Sequence, residues 1–361
     1  MRHYTHTFTE QEETALWEAL DAGAEVRGTT SPNPPVGCVI YREVEPVIVD
    51  DWDQAEPEII ATGGTEPVGG RHAEIVALDA AREKVGDDGL RGACMLVTLE
   101  PCNHTGRTGP CAEAIVAAGI AKVVYIEPDP HSEASGGAEY LRRHGVEVHH
   151  KTYDVTGLAP WLTAVRHGRV SVTAKFAATL DGFVAAPDGS SQWITGPITR
   201  EWVHEDRSRV DAIIIGTGTA LADNPSLTAR KADGTLAERQ PRRVVVGTRE
   251  VPEGNLTRLG FEQYATPQEA LDALWETGAR HVIVEGGPTL MRSVFELGVV
   301  DAIHAYVAPM LFGAGRSMID GPLVGTLAQA QRYEIDYVDY TSNDDVLIAL
   351  RRCEECEEEE T

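Results

Sequence analysis

His72-Ala-Glu74 and Pro101-Cys102-Asn-His-Thr-Gly-Arg-Thr-Gly-Pro-Cys111 place one imidazole, one carboxylate and two thiols in one short window. If they serve a single centre, the fold must return three separate chain positions to one point. His72 and Glu74 stand two apart, and on a regular helix such residues face different sides. Both can reach one centre only at a helix N-terminus, where Gly69-Gly70 just upstream leaves room and free N–H groups favour developing negative charge. Cys102 follows the strand-like run 93–99, and Cys111 opens the helical run 112–118, so regular elements can fix both thiols. With His72, Cys102 and Cys111 as ligands, a zinc ion keeps its fourth tetrahedral position for a water and lowers that water's pKa towards neutrality. Glu74, left as the non-ligating carboxylate, is the catalytic candidate that carries protons from the water to a ring nitrogen and a leaving amine. Zinc deaminases carry the same elements as H-x-E followed by P-C-x-x-C, but here eight residues separate the cysteines. Taken singly, His72 reads as a helix-start residue and the cysteines as small buried hydrophobes. A purely structural zinc site would want a fourth ligand such as His104, which two residues after Cys102 is better placed to touch substrate.

With 361 residues the chain exceeds the usual single core, so two domains are expected. We divide it into residues 1–150, a helical connector 151–169, a second domain 170–352 and an acidic tail 353–361. The pattern 10–24 helix, 36–41 strand, 71-onward helix, 93–99 strand, 112–118 helix, 122–127 strand, 137–144 helix and 146–150 strand predicts a layered α/β domain. Strands at 170–176, 212–215, 244–246, 281–284 and 303–307, with helices such as 267–277 between them, predict a second α/β sheet. Residues 42–62 are expected to form an extended hairpin near the first site. The six cysteines, in a chain whose N-terminus lacks a basic and then apolar leader, point to metal ligation or burial rather than disulfides, and to the cytoplasm. A formal net charge of −26 opposes nucleic-acid phosphates as partners, and no apolar stretch is long enough for a membrane span. The Cys353-Glu-Glu-Cys356 end reads as a solvated like-charge tail.

The motifs Asn33-Pro-Pro-Val-Gly37, His72-Ala-Glu74 and Thr98–Cys111 resemble the deaminase half of the bifunctional deaminase–reductase family of riboflavin biosynthesis, and the long cysteine gap marks that branch. The resemblance continues through Lys175–Gly182, Ser191–Thr195, Gly216–Arg230 and Val284–Leu290. It implies a cytidine-deaminase-like three-layer α/β/α domain followed by a dihydrofolate-reductase-like α/β domain. It also implies Zn²⁺ and NADPH as cofactors, a small pyrimidine ribosyl phosphate as substrate, and a homo-oligomer formed through the reductase domain. By the same resemblance Asn33, His104 and Arg107 bind the ring or phosphate of the deaminase substrate. Ala177, Trp193, Thr219, Asp223, Thr248, Gly287, Pro288, Thr289 and Leu290 would contact NADPH. Lys175, Asp181, Ser191, Arg207, Leu227, Arg230 and Glu285 would hold the sugar phosphate, the arginines through planar forks suited to phosphate.

Independently of that, a strand ending at Glu285 and breaking at Gly286-Gly287-Pro288 lets backbone amides approach a phosphate. Gly216–Thr219 repeats the arrangement, though no full dinucleotide fingerprint follows it. Two glycine-bearing strand ends in one domain fit a cofactor lying across the carboxyl edge of a sheet. Phe183 replaces a basic residue common after the Leu-Asp-Gly motif. The stretch 247–280 looks short enough to abbreviate or omit a strand–helix unit, which bears on the preference for NADPH over NADH. The rival readings are a zinc deaminase of another base with an inactive second domain, and a zinc-stabilised binding protein. An unligated Glu74 argues against the second.

Overall fold

A computed structural model describes residues 8–45, 47–49, 52–54, 56–103, 109–131, 136–341 and 344–353. It divides into two compact units, Met1–Leu162 and Thr163–Thr361.

The first unit runs α1 (Glu10–Glu25), β1 (Gly37–Arg42), β2 (Val47–Val49), β3 (Trp52–Gln54), β4 (Glu58–Gly64), α2 (Ala73–Leu90), β5 (Cys94–Leu99), α3 (Cys111–Ala118), β6 (Lys122–Glu127), α4 (Gly137–Arg143) and β7 (Glu147–His150). Helix α1 begins with a reciprocal cap, in which the Thr9 hydroxyl accepts from the Glu12 amide and the Glu12 carboxylate accepts from Thr9 N. Its inner face is Ala15, Leu16, Ala19 and Gly23, whereas Trp17 is exposed and meets Tyr153 edge-on. The sheet order is β4-β1-β5-β6-β7, antiparallel on the β4 side and parallel from β5 to β7. Helices cover both faces: a Cβ at Gly37 would lie 1.8 Å from Ala19 O of α1, and one at Gly64 would meet Ala22 of α1. The neighbouring Gly63 instead faces Ala73 and Ala77 of α2, the alternation expected along a strand.

One expectation changes here, the placing of the hairpin near the first site. Residues 42–62 do form an extended hairpin: β1 pairs antiparallel with the edge strand β4, and the small β2–β3 hairpin prolongs them. That hairpin joins the Arg42 end of β1 to the Glu58 end of β4, level with Cys94 at the start of β5. The deaminase candidates lie at the other end of β5, beyond Leu99, because an antiparallel β1 carries the chain away from them.

The second unit contains β8 (Ser171–Thr179), β9 (Phe183–Ala185), α6 (Pro197–Ser208), β10 (Ala212–Gly216), α7 (Thr217–Asp223), β11 (Arg242–Val246), α8 (Asn255–Leu259), β12 (Glu262–Tyr264), α9 (Pro267–Glu276), β13 (His281–Val284), α10 (Pro288–Glu296), β14 (Val300–Ala308), β15 (Arg316–Ser317), β16 (Tyr333–Tyr340) and β17 (Val346–Arg352). Helix α5 (Ala159–His167) contains the boundary between the units, so only the second half of the expected connector is helical. The eight-stranded order is β12-β11-β10-β13-β8-β14-β17-β16. Strands β12 to β14 run parallel, and β17 and β16 close that edge antiparallel. Val172, Ala174 and Phe176 of β8 join Val282 and Val284 of β13 in one core with α9 and α10. The strand–helix unit between 247 and 280 is present in short form as α8, β12 and α9. Its strand has three residues, too few for a period-two pattern to stand out.

Cys38, Cys94, Cys102 and Cys111 are free thiols. Cys353 is buried and disulfide-bonded, against the expectation of burial or ligation alone. Among the described residues it belongs to no group able to hold a metal. Residues 354–361 of the tail, with Cys356, lie outside the described residues. No described helix is long and apolar enough to cross a membrane.

Candidate active sites

In the first unit the chain reaches His72 in an extended conformation (φ −72°, ψ 158°), and α2 begins with the next residue. Glu74 is therefore in the first helical turn, and both side chains can meet at the helix mouth, as their spacing requires. Cys111 is the first residue of α3. The loop between the cysteines is closed by backbone: Ala112 N donates to Cys102 O at 3.2 Å, and Cys111 N lies 3.4 Å from Cys102 Sγ. Glu100 adds a second anchor by accepting from the amides of Gly136 (3.2 Å) and Ala138 (3.0 Å) at the start of α4. Gly137 must lack a side chain, since a Cβ there would sit 1.8 Å from Pro101 O.

His72 Nδ1 lies 3.6 Å from Cys102 Sγ and 3.4 Å from Cys111 Sγ, and all three donor atoms fall within 4.8 Å of one another. A tetrahedral zinc with ordinary Zn–N and Zn–S bonds needs an N···S edge of about 3.6 Å. The donor set therefore fits zinc in both chemistry and spacing. The Cys111 thiol beside Cys102, helped by His72 and opposed by burial, holds the Cys102 thiol well below its usual range. Contact with Cys102, then burial, pushes Cys111 up. Hydrogen bonding to Cys102 raises His72. Glu74 is buried, and burial, with the Cys102 charge adding to it, raises its carboxyl to about 7.

A cleft of about 440 Å³ opens on this cluster, lined by Asn33, His72, Glu74 and Cys102 and also by Asp129, His131 and Trp161. The last three were missed from sequence. A usable signal was present, because Asp129 and His131 follow the carboxyl end of β6, beside the β5 end that carries Cys102, and ligands gather at such edges. Trp161 is drawn in by its indole N–H, which donates to Pro32 O at 2.9 Å. His104 and Arg107 lie outside the described residues.

In the second unit Lys175, Arg207 and Glu285 meet. Arg207 Nε and Nη2 donate to the two Glu285 oxygens, each at 2.7 Å, and Lys175 Nζ donates to Oε2 at 3.3 Å. Burial would raise the Glu285 carboxyl, but the two cations hold it well below the usual range. Arg207 Nη1 also donates to Thr228 O at 3.2 Å. The Arg207 fork, expected to clamp phosphate, is thus spent on Glu285, because a buried carboxylate needs it more than solvent-reachable phosphate does. Arg230 is exposed and donates only one bond to Gly234 O.

The glycine-bearing edge is formed by Gly216, Gly247 and Gly286-Gly287 at the carboxyl ends of β10, β11 and β13. Gly287 N donates to Thr219 Oγ1 at 3.1 Å, and a Cβ at Gly287 would approach that oxygen to 3.3 Å. This ties the first turn of α10 to α7. Pro288 occupies the first helical position, so the amides of Thr289 and Leu290 are the donors without intrahelical acceptors. The edge can therefore receive a nucleotide phosphate through backbone, and it fits NADPH in that respect. The side chains of Leu290 and Leu227 are in the core, which leaves only their backbones for a ligand. Leu227 has φ 47°, a backbone setting that no sequence pattern announced.

The remaining candidates are dispersed. Asp181 accepts from Thr179 Oγ1 (2.6 Å) and from the amides of Phe312 and Gly313 (2.6 Å to the latter), so it braces a loop. Trp193 is exposed beneath the Arg200 guanidinium, 4.4 Å from its ring centroid. Ser191 and Ala177 are half-buried, and Asp223 and Thr248 are exposed. Arg249, not foreseen, reaches Thr217 Oγ1 at 3.3 Å and so lies over the start of α7.

Comparison with known proteins covers both units. The family profile of the cytidine and deoxycytidylate deaminase zinc-binding region matches residues 9–127, and that of the RibD C-terminal domain matches residues 170–338. The riboflavin biosynthesis protein RibD of Corynebacterium ammoniagenes is 51% identical over 326 residues, covering 88% of this chain and 92% of that protein. RibD of Mycobacterium tuberculosis H37Rv is 41% identical over 348 residues, covering 94% and 97%. The crystal structure of a diaminohydroxyphosphoribosylaminopyrimidine deaminase/5-amino-6-(5-phosphoribosylamino)uracil reductase from Thermotoga maritima superposes with a TM-score of 0.81 at 31% identity, covering 95% of this chain and 99% of that one.

Proposed function

The chain belongs to the RibD family of bifunctional deaminase–reductases of riboflavin biosynthesis, and from that premise we propose which residues perform each step and on what. The first unit removes the 2-amino group of the diaminopyrimidinone ribosyl phosphate by hydrolysis, and the second reduces the ribosyl group of the resulting aminouracil to ribityl. The observation that carries the first step is the His72–Cys102–Cys111 donor set with a buried, non-ligating Glu74 beside it. Zinc, when bound there, supplies the Lewis acidity that makes water a nucleophile near neutral pH. Glu74 takes one proton from the attacking water to the ring nitrogen as the C–O bond forms, then takes the proton of the new hydroxyl to the amino group, which leaves as ammonia as the carbonyl forms. Asn33 and Asp129 offer hydrogen-bonding groups to the edge of the pyrimidine, and the walls of Leu99 and Trp161 limit water around it. His104 and Arg107 stay assigned to the ring or phosphate by the family motif.

In the second unit NADPH, when bound, supplies the hydride that turns C1′ of the ring-opened, imine-like ribosylamine into the ribityl carbon. Thr219 and the backbone at Gly287–Leu290 orient its diphosphate, with Ala177, Trp193, Asp223 and Thr248 around it. Arg249 is the cation at the tip of the neighbouring strand β11 that favours a 2′-phosphate. Lys175 and Arg230 meet the sugar phosphate near Ser191 and the Leu227 backbone, while Arg207, Glu285 and Asp181 hold these groups in place. We further propose that a second copy docks along edge strand β16, where Ile335, Val338 and Tyr340 are exposed. The NADPH demand and free cluster thiols suit the cytoplasm.

The test mixes the purified protein with the diaminopyrimidinone substrate, with and without NADPH, and follows ammonia release and NADPH absorbance separately. Ammonia in both arms and NADPH loss only after deamination are expected. Ammonia without NADPH consumption refutes the second step, and neither signal refutes both.

A further inference from the structure

Only Thr199 of helix α6 is fully buried, so apolar packing alone does not hold this helix against its sheet. Polar bonds at both ends do. At the N-terminal end the buried Asp345 accepts from the Gly196 amide and the Thr199 hydroxyl, each at 2.6 Å. At the C-terminal end the consecutive residues Asp206 and Arg207 reach in different directions. Arg207 sets its fork on Glu285, the residue after β13. Asp206 Oδ2 accepts from Tyr306 OH at 2.9 Å and lies 2.9 Å from His304 Nδ1, and both partners are on β14.

Strands β13 and β14 are the two neighbours of β8. Lys175 lies on β8 between them, opposite His304 in the register, and donates to Glu285. Helix α6 thus straddles the lysine's strand, holding one flanking strand through Arg207 and the other through Asp206. Nothing in the activity described so far uses Asp206, His304 or Tyr306. Tyr306 is fully buried, while Asp206 and His304 keep side-chain exposures of 23% and 20%. Buried polar groups of this kind can often be exchanged for apolar ones without loss of stability, and a fixed geometry is what they can supply instead.

We propose that Asp206, His304 and Tyr306 are positioning residues of the reductase step, pinning the second side of α6 so that Arg207 and Glu285 keep Lys175 aimed at the sugar phosphate. This rests on the assignment of Lys175 to the reductase substrate.

The full-length protein and its His304→Val, His304→Gln and Tyr306→Phe variants test it. The deaminated aminouracil ribosyl phosphate is the reductase substrate, NADPH binding is read directly by fluorescence titration, and the deaminase rate reports the other unit. His304→Val is expected to raise KM for the sugar phosphate about tenfold, the equivalent of one good hydrogen bond. Its kcat, NADPH affinity and deaminase rate should stay within about twofold. The Gln side chain retains an N–H donor for Asp206 and should restore most of the loss, and Tyr306→Phe should show a smaller rise of the same kind. An unchanged KM in both His304→Val and Tyr306→Phe overturns the proposal. So does a fall in kcat at constant KM, which would give the imidazole a proton-transfer role. If the valine variant fails to fold, Tyr306→Phe, lacking a single hydroxyl, decides alone. Absence of NADPH oxidation by the unmodified protein would instead refute the reductase assignment.

Discussion

In the first unit three donor atoms from His72, Cys102 and Cys111 lie within 4.8 Å of one another and define the chemistry by themselves. In the second unit the edge proposed for the cofactor is built from glycines at the ends of β10, β11 and β13, the Thr219 hydroxyl of α7 and first-turn amides of α10. The contrast separates two ways of making a site. A metal centre concentrates its specificity in a few side chains of rare type, so losing one is total. A nucleotide edge spreads it over backbone that many residues help to place, so losing one is partial.

Cys102→Ser should break the comparison most sharply. Zinc content, read by elemental analysis, should fall and deamination should drop by at least ~10³-fold, while NADPH reduction of supplied aminouracil substrate continues. Equal loss of both activities would mean that the units are not separable. Glu74→Gln should lower deamination by about 10²–10⁴-fold with zinc content unchanged, because it removes a proton carrier and no ligand. Loss of zinc in that variant would contradict the non-ligating role.

Glu285→Gln tests the second unit. Removing the charge leaves Arg207 and Lys175 buried without their counter-ion, which should cost about 3–5 kcal/mol of that unit's stability and weaken reduction. Calorimetry should show one transition shifted down and the other unmoved.

The smallest effect concerns a structural carboxylate. Burial raises Glu12, but Lys151, the Thr9 amide and Lys122 more than reverse this and hold it at about 2, below its usual 4.5. Because its folded value is depressed, Glu12 stabilises the fold above about pH 4.5, and that contribution is lost as pH falls towards about 2. Glu12→Gln should cost about 3 kcal/mol at pH 7, and the gap from the parent should close between those values in denaturant melts. A constant gap across that range would show that the ion pairs are not its source.

These differences also explain what could be read before folding. The α2 start just after His72 and the α3 start at Cys111 were legible because ligand chemistry and helix spacing point the same way. Helix α6 was not, because only Thr199 is fully buried and its hold depends on Asp345, Asp206 and Arg207 meeting distant partners. Nor was the end of the sheet at which the hairpin sits, because that follows from the antiparallel pairing of β1 with β4 and β5. Asp129, His131 and Trp161 carry no local signal beyond standing after a strand or within a helix.

The sequence by itself determined the zinc donor set, the division into two α/β parts and the glycine breaks at Gly216 and Gly286-Gly287, because each is carried by residue type at short spacing. The tertiary structure decided that the hairpin sits away from the cleft, that Arg207 is spent on Glu285, that Leu227 and Leu290 face the core, and that Lys175 lies between two grips of α6. Such outcomes depend on which buried charge finds which distant partner, a competition that only the packed chain resolves.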